Sequence, residues 1–204
     1  FAFVPPGEVA SAKQAAVYLD VGNKLEPGII DHHQVDAEAK CTARLVVDYP
    51  EYVTNQIEPD KGFTIFMHHQ PDIDCIGACW LTLKLLNDQP ITQSALQIVD
   101  EIQEIDRGVT VLNSEQRYTF YSIMMMALND GERSDTARVE RGIALLNALE
   151  KAIAKHNELA EVDWQRIDSL QSYLRAVDQD LERFEADLSR AETAQIDVDI
   201  RGSN

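Results

Sequence analysis

Three short apolar runs early in the chain, AAVYL, GII and GFTIFM, each stop at an aspartate or a histidine. Asp20 follows the first, Asp31-His32-His33 the second, and His68-His69 the third. Short runs rich in Val, Ile, Tyr and Phe read as strands, whereas AEAKCTARLVVDY, ACWLTLKLLN, TQSALQIVDEIQEID and SEQRYTFYSIMMMALN read as helices. Strands alternating with helices predict an α/β fold with a mostly parallel, doubly wound sheet and flanking helices. In open α/β sheets ligands bind outside the carboxyl ends of the strands. The three polar clusters are therefore expected to meet in space although they lie far apart in sequence.

Punctuation supports these elements. Pro71 and Gly77 mark a loop after the third strand, and Thr92 and Ser114 are candidate N-caps. From Ser134 the composition turns to charged helix. Ile167, Leu170, Leu174, Val177, Leu181, Phe184 and Leu188 advance by steps of three and four, an amphipathic stripe near a heptad. The expected organisation is an α/β domain over 1–133 that carries the three polar clusters, and a helical C-terminal extension or connector over 134–204. The stripe packs on its own domain or forms a homodimer seam, and the terminal IDVDIRGSN resembles the start of a strand.

Composition narrows the function classes. At 204 residues, with 45% hydrophobic and 26% charged residues, the chain has the make-up of a globular protein with a sizeable core. No apolar run reaches the ~18 residues needed to span a bilayer, and FAFVPPGEVA lacks the charged start of a signal peptide. The expected setting is the cytoplasm, with no membrane partner, and a chain opening on Phe1 is expected to be processed or an excised domain. Cys41, Cys75 and Cys79 form no CxxC pair and read as buried reduced thiols. A net charge of -17 argues against long duplex nucleic acid as a partner, because binding it relies on Lys and Arg neutralising phosphates. A small phosphate or nucleotide remains compatible, since bound cations reverse the sign locally.

Four of the five histidines fall in two adjacent pairs, each beside carboxylates. In HHQPDID, His68, Asp72 and Asp74 stand at i, i+4 and i+6, and a turn begun by Pro71 brings one imidazole and two carboxylates together. Imidazole and carboxylate donors without thiolate suit Mn²⁺, with Mg²⁺ or another divalent ion the next choice. Asp20, Asp31, His32, His68, Asp72 and Asp74 exceed the needs of one ion, which suggests two ions ~3.5 to 4 Å apart clamping a phosphate. These motifs contain no Lys or Arg to balance the carboxylates.

With these motifs the chain resembles the DHH phosphoesterases, a group that includes family II inorganic pyrophosphatases and RecJ-type exonucleases. DHH is present as Asp31-His32-His33, and HHQPDIDCIGA is similar to the family's H-x-x-P-D-x-D-x-I-G-S segment. YLDVGN resembles its lone-aspartate strand, CTARLV the small-residue helix after DHH, and EIDRGV a fourth segment carrying Asp106. The resemblance implies that Asp20, His68 and Asp72 hold one metal. Asp20, His32, Asp74 and Asp106 would hold the other, with Asp20 bridging. It further implies His33 facing the substrate phosphate and Asp31 orienting its neighbours, with His69 outside the ligand set. In relatives HxxxDxD precedes DHH, so the order here implies a circular permutation or a rearranged sheet.

The implied activity is hydrolysis of a phosphoester or phosphoanhydride by a two-metal-activated water. The substrate is expected to be a small phosphate, a nucleotide or a short oligonucleotide. Arg107 is either a contact to a phosphate oxygen or a solvated neighbour of Asp106. The competing expectation is a non-catalytic DHH-like module that senses a nucleotide or phosphate, or one that oligomerises through its C-terminal helices.

Overall fold

The computed structural model describes residues 1–34, 40–58, 60–109, 117–129, 134–156 and 158–191. The five strands are β1 (Ala2–Val4), β2 (Ala16–Leu19), β3 (Leu25–Glu26), β4 (Ile29–Ile30) and β5 (Thr64–His68). They form one sheet in the order β1-β5-β2-β4-β3, parallel except where β3 meets β4. The α/β class and the mostly parallel sheet agree with the sequence. Between β3 and β4, Gly28 takes φ +85, a left-handed conformation that suits glycine at a tight reversal.

The helices are α1 (Thr42–Asp48), α2 (Glu51–Thr54), α3 (Ile73–Leu86), α4 (Gln93–Asp106), α5 (Phe120–Leu128), α6 (Asp135–His156) and α7 (Gln171–Leu188). Thr92 caps α4 as expected, its hydroxyl accepting from Ala95 N–H at 3.1 Å. Thr119 caps α5 in a reciprocal box with Ser122. Ser114 and IDVDIRGSN lie outside the described residues. No helix of the described chain is long and apolar enough to cross a membrane.

Alternation along the strands decides the layering. Val17, Leu19, Ile30, Ile65 and Met67 point into a large cluster built with the helices. Tyr18, Ile29 and Phe66 point the other way, onto Ala10 and Val21. Among the described residues the helices thus cover one face, and the N-terminal loop covers part of the other. The doubly wound expectation is corrected on this point. Strands buried on both faces look equally apolar whether a helix or a loop covers them.

Residues on both sides of position 134 share the large core: Val139, Leu145, Leu146, Leu149 and Ile153 of α6 are buried with α3, α4 and α5. Close approach is built in at Gly142, where a Cβ would fall 2.6 Å from Ile76 Cγ2. The stripe on α7 is divided, with Leu170, Leu174 and Val177 buried and Phe184 and Leu188 exposed. Cys41, Cys75 and Cys79 are free and buried, as expected.

Candidate metal centre

The three strands that end in polar clusters, β5, β2 and β4, are neighbours in the sheet, and their carboxyl ends lie along one edge. His68 is the last residue of β5, Asp20 follows β2, and Asp31 follows β4. Asp72 and Asp74 enter from the start of α3, and Asp106 ends α4. With His32 directly after Asp31, all six residues expected as ligands, Asp20, His32, His68, Asp72, Asp74 and Asp106, stand at that edge.

Asp20 lies at the centre. It is buried, with a backbone φ of 56. Its Oδ2 lies 3.2 Å from His68 Nε2, its Oδ1 lies 3.4 Å from His32 Nε2 and 3.5 Å from His33 Nδ1, and Thr42 Oγ1 donates to Oδ1 at 3.1 Å. His32 reaches further. Its Nε2 is 3.8 Å from Asp74 Oδ2, and its Nδ1 is 3.7 Å from Asp106 Oδ2.

Backbone donors hold the carboxylates in place. Asp74 accepts from Thr42 N–H at 2.7 Å and from Ala43 N–H at 2.8 Å, which ties α3 to the start of α1. Asp31 accepts from Asn23 N–H at 2.6 Å, from His33 N–H at 3.0 Å and from His33 Nδ1 at 2.7 Å. These bonds tie the turn at His32 and His33 to Asn23. Asp72 Oδ1 accepts from Cys75 N–H at 2.9 Å and so caps α3.

The imidazoles are oriented too. His68 Nδ1 is 2.9 Å from the His69 carbonyl, an acceptor, so Nδ1 carries a proton and the ring is fixed with Nε2 on Asp20. His33 Nδ1 must likewise carry a proton toward Asp31. The exposed ring of His33 lines a cavity of about 670 Å³ together with Asp20, Asn23, His68 and Asp72.

The electrostatics of this cluster are those of too much negative charge. Among the described residues, the ion pairs of Asp20, Asp31, Asp74 and Asp106 run only to imidazoles. Burial pushes the Asp20 carboxyl up, but hydrogen bonds from His32 and His68, and then their charges, outweigh it and hold it below the usual carboxylate range. Burial lowers His32 and His68, yet Asp20 and the neighbouring carboxylates lift each to about 9. Burial and the Asp20 charge push Asp72 and Asp74 up, and Asp106 rises for the same reasons against the pull of His32. Among the described residues, imidazoles thus supply the counter-charge in direct contact with Asp20, and divalent cations would supply it better.

Three sets of side chains have donor atoms within 4.8 Å of one another and could hold a metal ion: Asp20, His32 and His33; Asp20, His68 and Cys75; His32, Asp74 and Asp106. The oxygen and imidazole donors fit a divalent cation. Asp20 belongs to two sets, as does His32. Asp72 belongs to none, although it lines the same cavity as Asp20 and His68. Cys75 stands in the set where Asp72 was expected, and its Sγ lies 3.7 Å from the Leu19 carbonyl.

The remaining candidates fall outside the cluster. His69 bonds Asp135 at 2.8 Å and stacks on Phe3. Arg107 pairs with Glu104 at 3.4 Å, the solvated alternative. Thr42 and Cys75 were missed as site residues. Thr42 had a signal, since it follows Cys41 at the start of a helix, where a hydroxyl and a free N–H are available to a neighbouring carboxylate. Comparison with family models, curated proteins and solved structures finds no match to this chain.

Proposed function

We propose that the chain is a DHH-type, metal-dependent phosphohydrolase that cleaves a phosphoester or phosphoanhydride bond with two divalent cations, manganese being the best fit to the donors. The supporting observation is that one buried carboxylate, Asp20, belongs to two donor sets, with His32 and His33 near its Oδ1 and His68 near its Oδ2. In this reading Asp20, His68 and Asp72 serve one cation, and His32, Asp74, Asp106 and Asp20 the other. The reordered motifs are a rearrangement that leaves these residues at strand ends.

Bound there, the cations would acidify a water and offset charge on the phosphoryl oxygens. The chain's own residues do the rest. Asp31 holds His33 Nδ1–H, which leaves Nε2 to face the cavity. The ring so held is presented to the substrate phosphate. The water oxygen would form a new P–O bond as the old one breaks, with one water proton ending on the departing oxygen and the other released to solvent. Thr42 and the α1 N–H groups keep Asp20 and Asp74 fixed throughout, so the carboxylates need no reorganisation.

The test is a hydrolysis panel with added Mn²⁺, spanning pyrophosphate, cyclic dinucleotides, mononucleotides and short single-stranded oligonucleotides. Turnover of at least one member, lost on chelation and restored by Mn²⁺, is expected. Tight Mn²⁺ binding with no turnover anywhere on the panel would instead favour the sensing module.

A further inference from the structure

Asp72 lines two cavities of opposite character. One is the polar cavity that holds His33 and His68. The other, of about 320 Å³, has Asp72, Asp74 and Asp106 in its lining. Its remaining surface comes from Ile73, Ile102, Ile105, Tyr121, Met125 and Leu128. Ile105, Tyr121 and Met125 are only half buried, so apolar surface faces open space directly beside candidate cation ligands.

Arg138 completes the lining. Its Nε donates to the Pro71 carbonyl at 2.7 Å, and its Nη1 donates to the Leu128 carbonyl at 3.0 Å and to Asn129 Oδ1 at 3.4 Å. The guanidinium is thereby fixed in place, while Nη2 makes no hydrogen bond or ion pair among the described residues. Arg138 interacts with the charge of Asp72 across the cavity but stands in direct ion-pair contact with none of Asp72, Asp74 and Asp106. A mostly apolar wall with one fixed polar donor is the usual make-up of a pocket for an organic ligand, and this volume sits at the small end of the ~300 to 1,000 Å³ range. Inorganic phosphate or pyrophosphate has no use for such a wall.

Resting on the phosphohydrolase reading above, we infer that this cavity takes the nucleoside part of a mononucleotide substrate. The base lies against Tyr121, Met125 and Ile105 and offers an acceptor atom to Arg138 Nη2, while the phosphate reaches the carboxylate wall and its cations. The substrate class is then a nucleotide ester, not pyrophosphate or polyphosphate.

The experiment measures binding separately from turnover. The full chain with Mn²⁺ is titrated calorimetrically with three phosphonates that water cannot cleave: the methylenephosphonate analogue of AMP, phenylphosphonate and methylphosphonate. The nucleoside analogue is expected to bind at least about tenfold more tightly than the other two. Met125→Trp, which fills the cavity, and Tyr121→Ala, which removes its aromatic wall, should each erase that advantage and leave methylphosphonate affinity unchanged. Equal binding of all three, a phenylphosphonate affinity matching the nucleoside analogue, or an advantage that survives both substitutions overturns the assignment. Hydrolysis of AMP and pyrophosphate is assayed in parallel. A nucleoside preference without turnover removes the hydrolase reading and keeps the cavity's role; turnover without a nucleoside preference does the reverse.

Discussion

His32 Nε2 stands 3.4 Å from Asp20 Oδ1, and the same ring places Nδ1 3.7 Å from Asp106. One imidazole therefore links the centre of the cluster to the end of α4. Asp20 is the residue whose loss should matter most, but its backbone lies at φ 56, where alanine is strained and asparagine is tolerated. Asp20→Asn is thus the cleaner variant than alanine. It should weaken Mn²⁺ binding by at least about a hundredfold, beyond the 10- to 100-fold typical of outer partners of a metal ligand, with the circular dichroism spectrum unchanged. Mn²⁺ affinity within a few-fold of the parent would remove Asp20 from the ligand set.

Relief of carboxylate repulsion gives a second prediction. A ligand bound only by the folded chain stabilises it by about 2.7 kcal/mol at a hundredfold excess over Kd. For a chain of this size that corresponds to a rise in Tm of about 5 to 10 °C. Differential scanning calorimetry with and without Mn²⁺ should show such a rise in the parent and little of it in Asp20→Asn. An unchanged Tm at millimolar Mn²⁺ would contradict the proposal that this edge holds cations.

The parts of the site legible in the sequence were those with local signatures. Asp20, Asp31 and His68 end apolar runs, and a parallel sheet order carries such ends to one edge without further information. The parts that were not legible depend on distant pairs. Cys75 enters the donor set because α3 turns it toward Leu19 and Asp20, and Arg138 reaches Pro71 from α6. Neither contact leaves a trace in residue spacing. β1 went unread because Ala2–Val4 is short and runs directly into Pro5 and Pro6, a context that reads as loop. The one-sided helical layer was hidden for a similar reason, since Tyr18 and Ile29 are buried by a loop as fully as by a helix.

Asp135, in the first turn of α6, yields a pH prediction. It accepts from Gln70 N–H at 2.9 Å and from His69 Nδ1 at 2.8 Å. Burial pushes its carboxyl up, and these hydrogen bonds with the nearby positive charges outweigh that and hold it below its ordinary value. A depressed folded-state value means the unfolded chain takes up the proton first. The contribution is complete above the ordinary carboxylate range and fades as pH falls through the folded value. Asp135→Asn should therefore cost about 1 kcal/mol at pH 6 to 7, and the difference from the parent should shrink steadily below about pH 4. Urea denaturation of both proteins across that range measures it, and a difference independent of pH would show that the charge plays no part.

Lys84 and Glu150 carry the last prediction, because they join the charged helical half to the rest. Lys84 Nζ lies 2.6 Å from Glu150 Oε2, with both side chains largely shielded, and it also sits 4.9 Å over the Trp80 ring. Thr92 Oγ1 donates to Glu150 Oε1 at 2.6 Å, so this one carboxylate binds α3 and the start of α4 to α6. Removing either partner leaves a shielded charge without its counter-charge, which costs about 3 to 5 kcal/mol, whereas replacing both by apolar groups of similar size is often close to neutral. Glu150→Leu and Lys84→Met should each destabilise by about 3 kcal/mol, and the double variant should recover to within about 1 kcal/mol of the parent. Guanidinium denaturation of the four proteins completes the cycle. Additive losses would mean that the pair is solvated and that apolar packing of Val139, Leu146 and Leu149 alone holds α6 against α3.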